Sequence, residues 1–219
     1  MRVLEIRRVS KSYGNVRALR EVDLTVHAGE MVAIVGPSGS GKSTLLQIAG
    51  TLDRPTSGTV RVAGHDVNAL SDNELSALRA RYIGFVFQQF HLAPELSALD
   101  NVADGLLYSG LPRRRRRERA RTALQRVRLA DRLEHRPHQL SGGQMQRVAV
   151  ARAVAGQPPL LLADEPTGNL DTEASAEVLS VFRALNAAGV TIVLITHDVD
   201  VAAACPRRVW VRDGRVTSS

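Results

Sequence analysis

Residues 36–44 read Gly-Pro-Ser-Gly-Ser-Gly-Lys-Ser-Thr, and the first eight fit the spacing G-x-x-x-x-G-K-[ST]. Each residue type there has a use on a phosphate chain. Gly36, Gly39 and Gly41 allow successive backbone N–H groups to turn inward around phosphate oxygens, with Pro37, Ser38 and Ser40 completing the loop. Lys42 can reach the β- and γ-phosphates, the Ser43 hydroxyl suits Mg²⁺, and Thr44 follows on the helix whose positive end faces the anion. Lys11 and Lys42 are the only lysines in a chain otherwise basic through arginine. Lysine is thus kept where a compact ammonium on a flexible stem is wanted. The plain alternative, a glycine-rich turn, explains none of this.

A second group lies far downstream, in Leu-Leu-Leu-Ala-Asp-Glu-Pro at 160–166. Asp164 and Glu165 stand at the end of an apolar run, where open α/β sheets collect their sites. Asp164 suits the metal side, acting through bound water, and Glu165 can orient or deprotonate an attacking water. His197 ends a second apolar run, Val193–Thr196, in the same way, which makes a γ-phosphate contact plausible. Taken singly, the acidic pair and the histidine are ordinary strand ends. Together with the phosphate loop they describe a P-loop nucleoside triphosphatase, a class that includes GTPases, kinases and helicases.

These groups need strands and helices to hold them. Met31–Gly36 reads as a buried strand, followed by the loop and then a helix through Ser43–Ala49 that ends at Gly50. Before it come short strands in 3–10 and 22–27, with another over 59–67. Ser71 and Glu74 have the capping-box spacing, predicting a helix to about Arg81 and then a strand in Ile83–Gln88. Residues 97–155 read as helical, interrupted near Gly110–Pro112 and at Pro137. A strand at 160–164, a helix from Thr172 to Asn186, a strand at 190–196 and a final hairpin turning at Asp213-Gly214 complete the chain. The alternation implies an α/β fold with a largely parallel sheet, and the helical stretch looks inserted.

At 219 residues the chain has room for one substantial core with a small insertion. No apolar run approaches the ~20 residues of a membrane span. The start has no signal-like apolar stretch and Cys205 is the sole cysteine, so a soluble, cytoplasmic chain is expected. The net charge of +7 suits phosphates, nucleic acid or an anionic membrane surface. Its densest run, Arg113–Arg117, is read first as the solvated face of a helix, with attraction to anionic headgroups as an alternative. Few aromatics accompany it, which argues against stacking on single strands.

Leu140–Gln144 reads Leu-Ser-Gly-Gly-Gln directly ahead of a helical segment, about twenty residues before the acidic pair. With LSGGQMQRVAVARA and LLLADEPTGNLD as they stand, the chain closely resembles the ATP-binding-cassette (ABC) ATPases over nearly its whole length. The resemblance implies a single ABC ATPase domain, 1–219, with a RecA-like P-loop core and an N-terminal antiparallel β-subdomain in 1–88 and 156–219. A helical subdomain, 89–155, is implied as the insertion. Two cassettes, expected to be identical, would pair head to tail, each ATP with its Mg²⁺ lying between one phosphate loop and the partner's LSGGQ.

Carried over residue by residue, Tyr13 resembles the aromatic that stacks on adenine. Gln88, preferred over its neighbour Gln89, resembles the glutamine that touches Mg²⁺ and senses the membrane partner. Ser141, Gly142 and Gly143 would serve the ATP of the other subunit, Asp171 the loop crossing the dimer interface, and His197 the switch histidine. Lys42, Glu165 and His197 would be catalytic. Met145 replaces a more usual polar residue and is expected to be too exposed to matter.

The phrases LDRPTSG, IGFVFQQFHLAPELSALDNV and RPHQLSGG resemble the lipoprotein-releasing and macrolide-exporting cassettes. They also resemble the cassette paired with a cell-division membrane protein. The resemblance implies an ATPase that drives transmembrane permease subunits from the cytoplasmic face of the membrane, peripherally bound. Regulation of a cell-wall hydrolase complex is the alternative, and a soluble nucleic-acid ATPase a more distant one. No nucleic-acid partner is expected.

Overall fold

The computed structural model describes residues 1–218, so Ser219, the last residue of the expected domain, lies outside the described residues. In chain order the elements are β1 (Arg2–Tyr13), β2 (Val16–His27), β3 (Met31–Val35), α1 (Lys42–Ala49), β4 (Ser57–Val62) and β5 (His65–Asp66). Then follow α2 (Asp72–Tyr82), β6 (Ile83–Val86), α3 (Ala98–Asp104), α4 (Arg113–Arg126), α5 (Gly142–Val154) and β7 (Leu160–Asp164). The chain continues through α6 (Thr172–Ala187), β8 (Thr191–Thr196), α7 (Val199–Ala203), β9 (Arg207–Arg212) and β10 (Arg215–Ser218).

Two sheets result. One is antiparallel, ordered β2-β1-β4-β5; the other is ordered β10-β9-β3-β8-β7-β6 and is parallel except for its β9–β10 edge. Every residue of β3 and β8 is buried, and their side chains divide by strand period between two cores. Val32, Ile34, Val193 and Ile195 join α1 and the antiparallel sheet on one side. Met31, Ala33, Val35, Ile192 and Leu194 join α3, α4, α5 and α6 on the other. The parallel sheet therefore carries packed layers on both faces, the arrangement of an α/β P-loop fold.

The parallel strands and main helices lie where hydrophobic period and caps predicted. The Ser71/Glu74 capping box is formed, and α2 runs to Tyr82. The first two strands are longer than expected. Arg8 and Glu21 adopt positive φ at bulges, and the Arg8 N–H turns to Asp23 Oδ1 at 2.9 Å. An extra residue shifts the apolar alternation, so one bulged strand reads as fragments. The expected strand at 59–67 is divided by a turn at Ala63-Gly64 into β4 and β5. Helix α7 was not expected; its five residues start where Asp198 accepts from the N–H groups of Asp200 and Val201.

Candidate functional site

The phosphate loop joins the end of β3 to α1, so the chain leaves a buried strand and enters a helix within a few residues. Two glycines are fixed by close approach. A Cβ on Gly36 would sit 2.1 Å from the Val211 carbonyl oxygen, and one on Gly41 would meet the Ala18 oxygen at 2.5 Å, with φ at +104°. The β9–β10 turn braces the same loop: Gly214 N–H donates to Ser40 O at 3.0 Å, while Arg20 N–H donates to Gly214 O at 2.7 Å. Lys42 is buried, and its Nζ donates to the carbonyls of Gly36 and Pro37, both at 2.8 Å. Ser40 is also buried, its hydroxyl without a partner among the described residues.

A cleft of about 680 Å³ opens over this loop. Ser38, Gly39, Gly41, Lys42, Ser43 and Thr44 line it together with Glu165 and His197. Val16, Arg17, Ala18, Arg20, Asp213 and Gly214 complete the rim. Of the three downstream groups expected near the phosphates, Glu165 and His197 line the cleft, while Asp164 ends β7 just before Glu165; β7 and β8 are neighbours in the sheet.

Glu165 Oε1 lies 2.8 Å from His197 Nδ1. A carboxylate only accepts, so Nδ1 carries the proton and Nε2 is the free ring nitrogen. Glu165 itself has φ +46°, an uncommon conformation for a non-glycine residue that the bond from its N–H to Ile195 O at 3.0 Å helps hold. Burial, then the charge of Glu165, pushes the Asp164 carboxyl above its ordinary value, with Lys42 acting against both. A half-buried pair of adjacent carboxylates beside a lysine is an environment that a cation would relieve.

Other expected residues are not among those that line this cleft. Tyr13 is not among its lining residues; its hydroxyl donates to Asp53 Oδ2 at 2.6 Å, with Lys11 Nζ 4.8 Å from the ring centroid. That bond to a carboxylate, then burial, raises the Tyr13 pKa. Gln88 donates through Nε2 to Asn169 Oδ1 at 3.1 Å, and Asn169 Nδ2 donates to Gln88 O at 3.2 Å. Asp171 caps α6 by accepting from Ala174 N–H at 2.8 Å.

Ser141 caps α5 reciprocally with Gln144, at 3.2 and 3.0 Å. Gly143 is buried where a Cβ would come 2.8 Å from that of Ala174 on α6, and Gly142 faces Leu170. LSGGQ therefore already has a packing role within one chain. Met145 needs a correction: it is partly buried against the larger core, because the turn that follows the cap places it on the inward side of α5.

Two residues of α5 escaped sequence reasoning. Gln146 is fully buried and donates through Nε2 to Pro166 O at 2.7 Å and Phe87 O at 3.1 Å, joining the segments around Gln88 and Glu165. Arg152 donates to Phe90 O at 3.0 Å and His91 O at 2.6 Å, and burial lowers its pKa. Their partners lie far away in sequence, and position on a helix was the only signal.

A family model described as "ABC transporter" matches residues 19–168. An uncharacterized ABC transporter ATP-binding protein of Bacillus subtilis is 52% identical over 218 residues, covering 98% of this chain and 95% of the relative. A macrolide export ATP-binding/permease protein of Rhodopseudomonas palustris is 53% identical over 203 residues, covering 93% of this chain; the match spans 31% of that longer protein. Among solved structures, a dimeric ATP-binding cassette in a post-hydrolysis state bound to ADP and Pi superposes with a TM-score of 0.87 at 42% identity, covering 98% of each chain.

Proposed function

The chain belongs to the ABC transporter family, and from that membership we propose that it is the ATP-binding and ATP-hydrolysing subunit of a transporter, working as a dimer on membrane subunits. The observation that carries this reading is the Glu165–His197 pair, 2.8 Å apart and lining the same cleft as Lys42 and the phosphate loop. The β9–β10 turn and Gly36 pre-shape the loop so that its N–H groups meet phosphate without rearrangement. Lys42 exchanges its two carbonyl partners for phosphate oxygens, a stronger charge-assisted contact. Glu165 accepts a proton from the attacking water, and His197 fixes the orientation of that carboxylate. Mg²⁺, when bound, neutralises phosphate charge; Ser43, Asp164 through water, and Gln88 are the residues that would hold it.

Ser141, Gly142 and Gly143 serve the nucleotide of a second copy, with Asp171 at the shared interface and Tyr13 beside the base. This supports a division into a RecA-like core with an antiparallel β-subdomain, 1–88 and 156–219, and a helical subdomain, 89–155. The likeness to a macrolide exporter favours membrane partners of the export or lipoprotein-release type, with the chain peripheral on the cytoplasmic face. Among the described residues no helix is long and apolar enough to cross a membrane.

The test is ATP turnover against chain concentration, with Lys42→Ala as control. Specific activity is expected to rise with concentration, and the variant to lose nucleotide binding. Undiminished turnover by the variant refutes the site. Concentration-independent turnover by a monomer refutes the dimer, and co-purification with RNA in place of a multi-spanning protein refutes the membrane role.

A further inference from the structure

We propose that the start of α4, with the turn just ahead of it, is a docking surface for the anionic headgroups of a lipid bilayer. Helix α4 contains eight arginines and one glutamate, a net charge of +7. The whole chain has a net charge of +7, so the remaining residues sum to zero. All of the excess charge is on one helix.

Its placement costs the helix stability. Five of the arginines, Arg113–Arg117, occupy the first turn and a half, where the exposed N–H groups already present the positive end of the dipole, and no acidic residue sits in the first turn. The protein offsets only part of this charge. Arg114 and Arg115 share Glu118 at 3.1 Å each, and Arg117 pairs with Asp100 on α3. Arg113, Arg116, Arg119, Arg121 and Arg126 have no ion pair among the described residues. The buried face of the helix, Ala120, Ala123 and Leu124, anchors it to the core; Arg116 and Arg117 are partly buried beside it, and the other six arginines are exposed.

A second observation selects lipid over other polyanions. The turn Leu107–Ser109 ends three residues before the basic run, and it exposes Leu107 by 52% and Tyr108 by 92%. An exposed leucine and an amphipathic tyrosine beside clustered arginines match the chemistry of a headgroup boundary: apolar groups enter the acyl edge while guanidinium groups hold phosphates. Nucleic acid would gain from a series of stacking rings, and Tyr108 is the only Phe, Tyr or Trp in 92–181. That a membrane lies near rests on the transporter reading; the lipid chemistry does not.

The full chain is sedimented with protein-free vesicles of phosphatidylcholine, alone or mixed with phosphatidylglycerol, at low and high salt. Partitioning onto the anionic vesicles is expected to be roughly tenfold greater or more, and to vanish at high salt. The triple variant Arg113→Gln, Arg119→Gln, Arg121→Gln should lose most of the preference for anionic vesicles while keeping basal ATP turnover. Tyr108→Ser should weaken binding several-fold and leave its salt dependence. Equal binding of the parent to neutral and anionic vesicles overturns the proposal, as does anionic binding untouched by the triple substitution. An RNA oligonucleotide that displaces the chain from vesicles through the same arginines reassigns the surface to nucleic acid. Vesicle binding by a preparation that lacks ATP turnover counts against the ATPase reading alone.

Discussion

Gln88 and Asn169 hold one another by two bonds in opposite directions, side-chain amide to side-chain carbonyl at 3.1 Å and side-chain amide to main-chain carbonyl at 3.2 Å. A glutamine proposed to reach a metal and a membrane partner is therefore tethered to the segment between Glu165 and Asp171. Releasing it has a readable cost. Asn169→Ala removes both bonds, each worth about 1 kcal/mol or less at this exposed site, and frees Gln88 by roughly fivefold to thirtyfold. Basal ATP turnover is expected to rise by such a factor while stimulation by the membrane partner falls; turnover assayed with and without that partner checks it. An unchanged ratio would show that the tether carries no coupling.

Glu165→Gln keeps the size of the side chain and its hydrogen bonding but cannot take a proton from water. ATP binding should persist while single-turnover hydrolysis falls by about a hundredfold or more. The trapped species should elute as a dimer by size-exclusion chromatography with ATP present. Hydrolysis within a few-fold of the parent would remove Glu165 from the role of base.

Asp164 gives a pH dependence whose sign follows from its raised pKa. The folded state holds that proton more tightly than the unfolded chain, so the stabilisation is complete below the unfolded value of about 4. It is lost as pH climbs through the folded value. At neutral pH the ionised carboxylate, half-buried beside Glu165, is a net cost. Asp164→Asn should therefore stabilise the nucleotide-free protein near pH 7, with the gain shrinking toward pH 4, as urea titrations at several pH values would show. Mg²⁺-dependent ATP binding should weaken in the same variant. A parent more stable than the variant at neutral pH contradicts this.

Gln146 is a positioning residue, since it touches neither the cleft nor a phosphate. Gln146→Leu leaves the carbonyls of Phe87 and Pro166 without its donor, at a cost of about 1–3 kcal/mol for each group left buried and unpaired. Thermal unfolding measures that loss. A structural role alone would leave the ratio of partner-stimulated to basal turnover intact; the prediction is that the ratio drops, because α5 no longer links the segments around Gln88 and Glu165.

How much of this was legible beforehand depended on how local the physics was. The phosphate loop, the Ser71/Glu74 box and the strands β3, β7 and β8 are set by near neighbours, so spacing and period revealed them. The bulges at Arg8 and Glu21 hid two long strands by shifting their alternation. Gln146 and Arg152 look like ordinary polar residues of an amphipathic helix until the fold brings residues 87–91 beside them. Met145 was misplaced for the same reason: which side of α5 faces inward depends on α6 and the core. The pairing of Glu165 with His197 could be expected from two strand ends, but its 2.8 Å geometry needed β7 and β8 to be adjacent.

The brace on the phosphate loop has a consequence for how the protein is made. Lys42 and its glycines leave the ribosome early, yet β3 pairs only with β8 and β9, and the loop is completed by the Gly214 turn. A nascent chain therefore displays the motif long before it can grip a nucleotide. ATP binding therefore reports that the β9–β10 hairpin has docked, since until then the loop lacks the bond from Gly214 to Ser40.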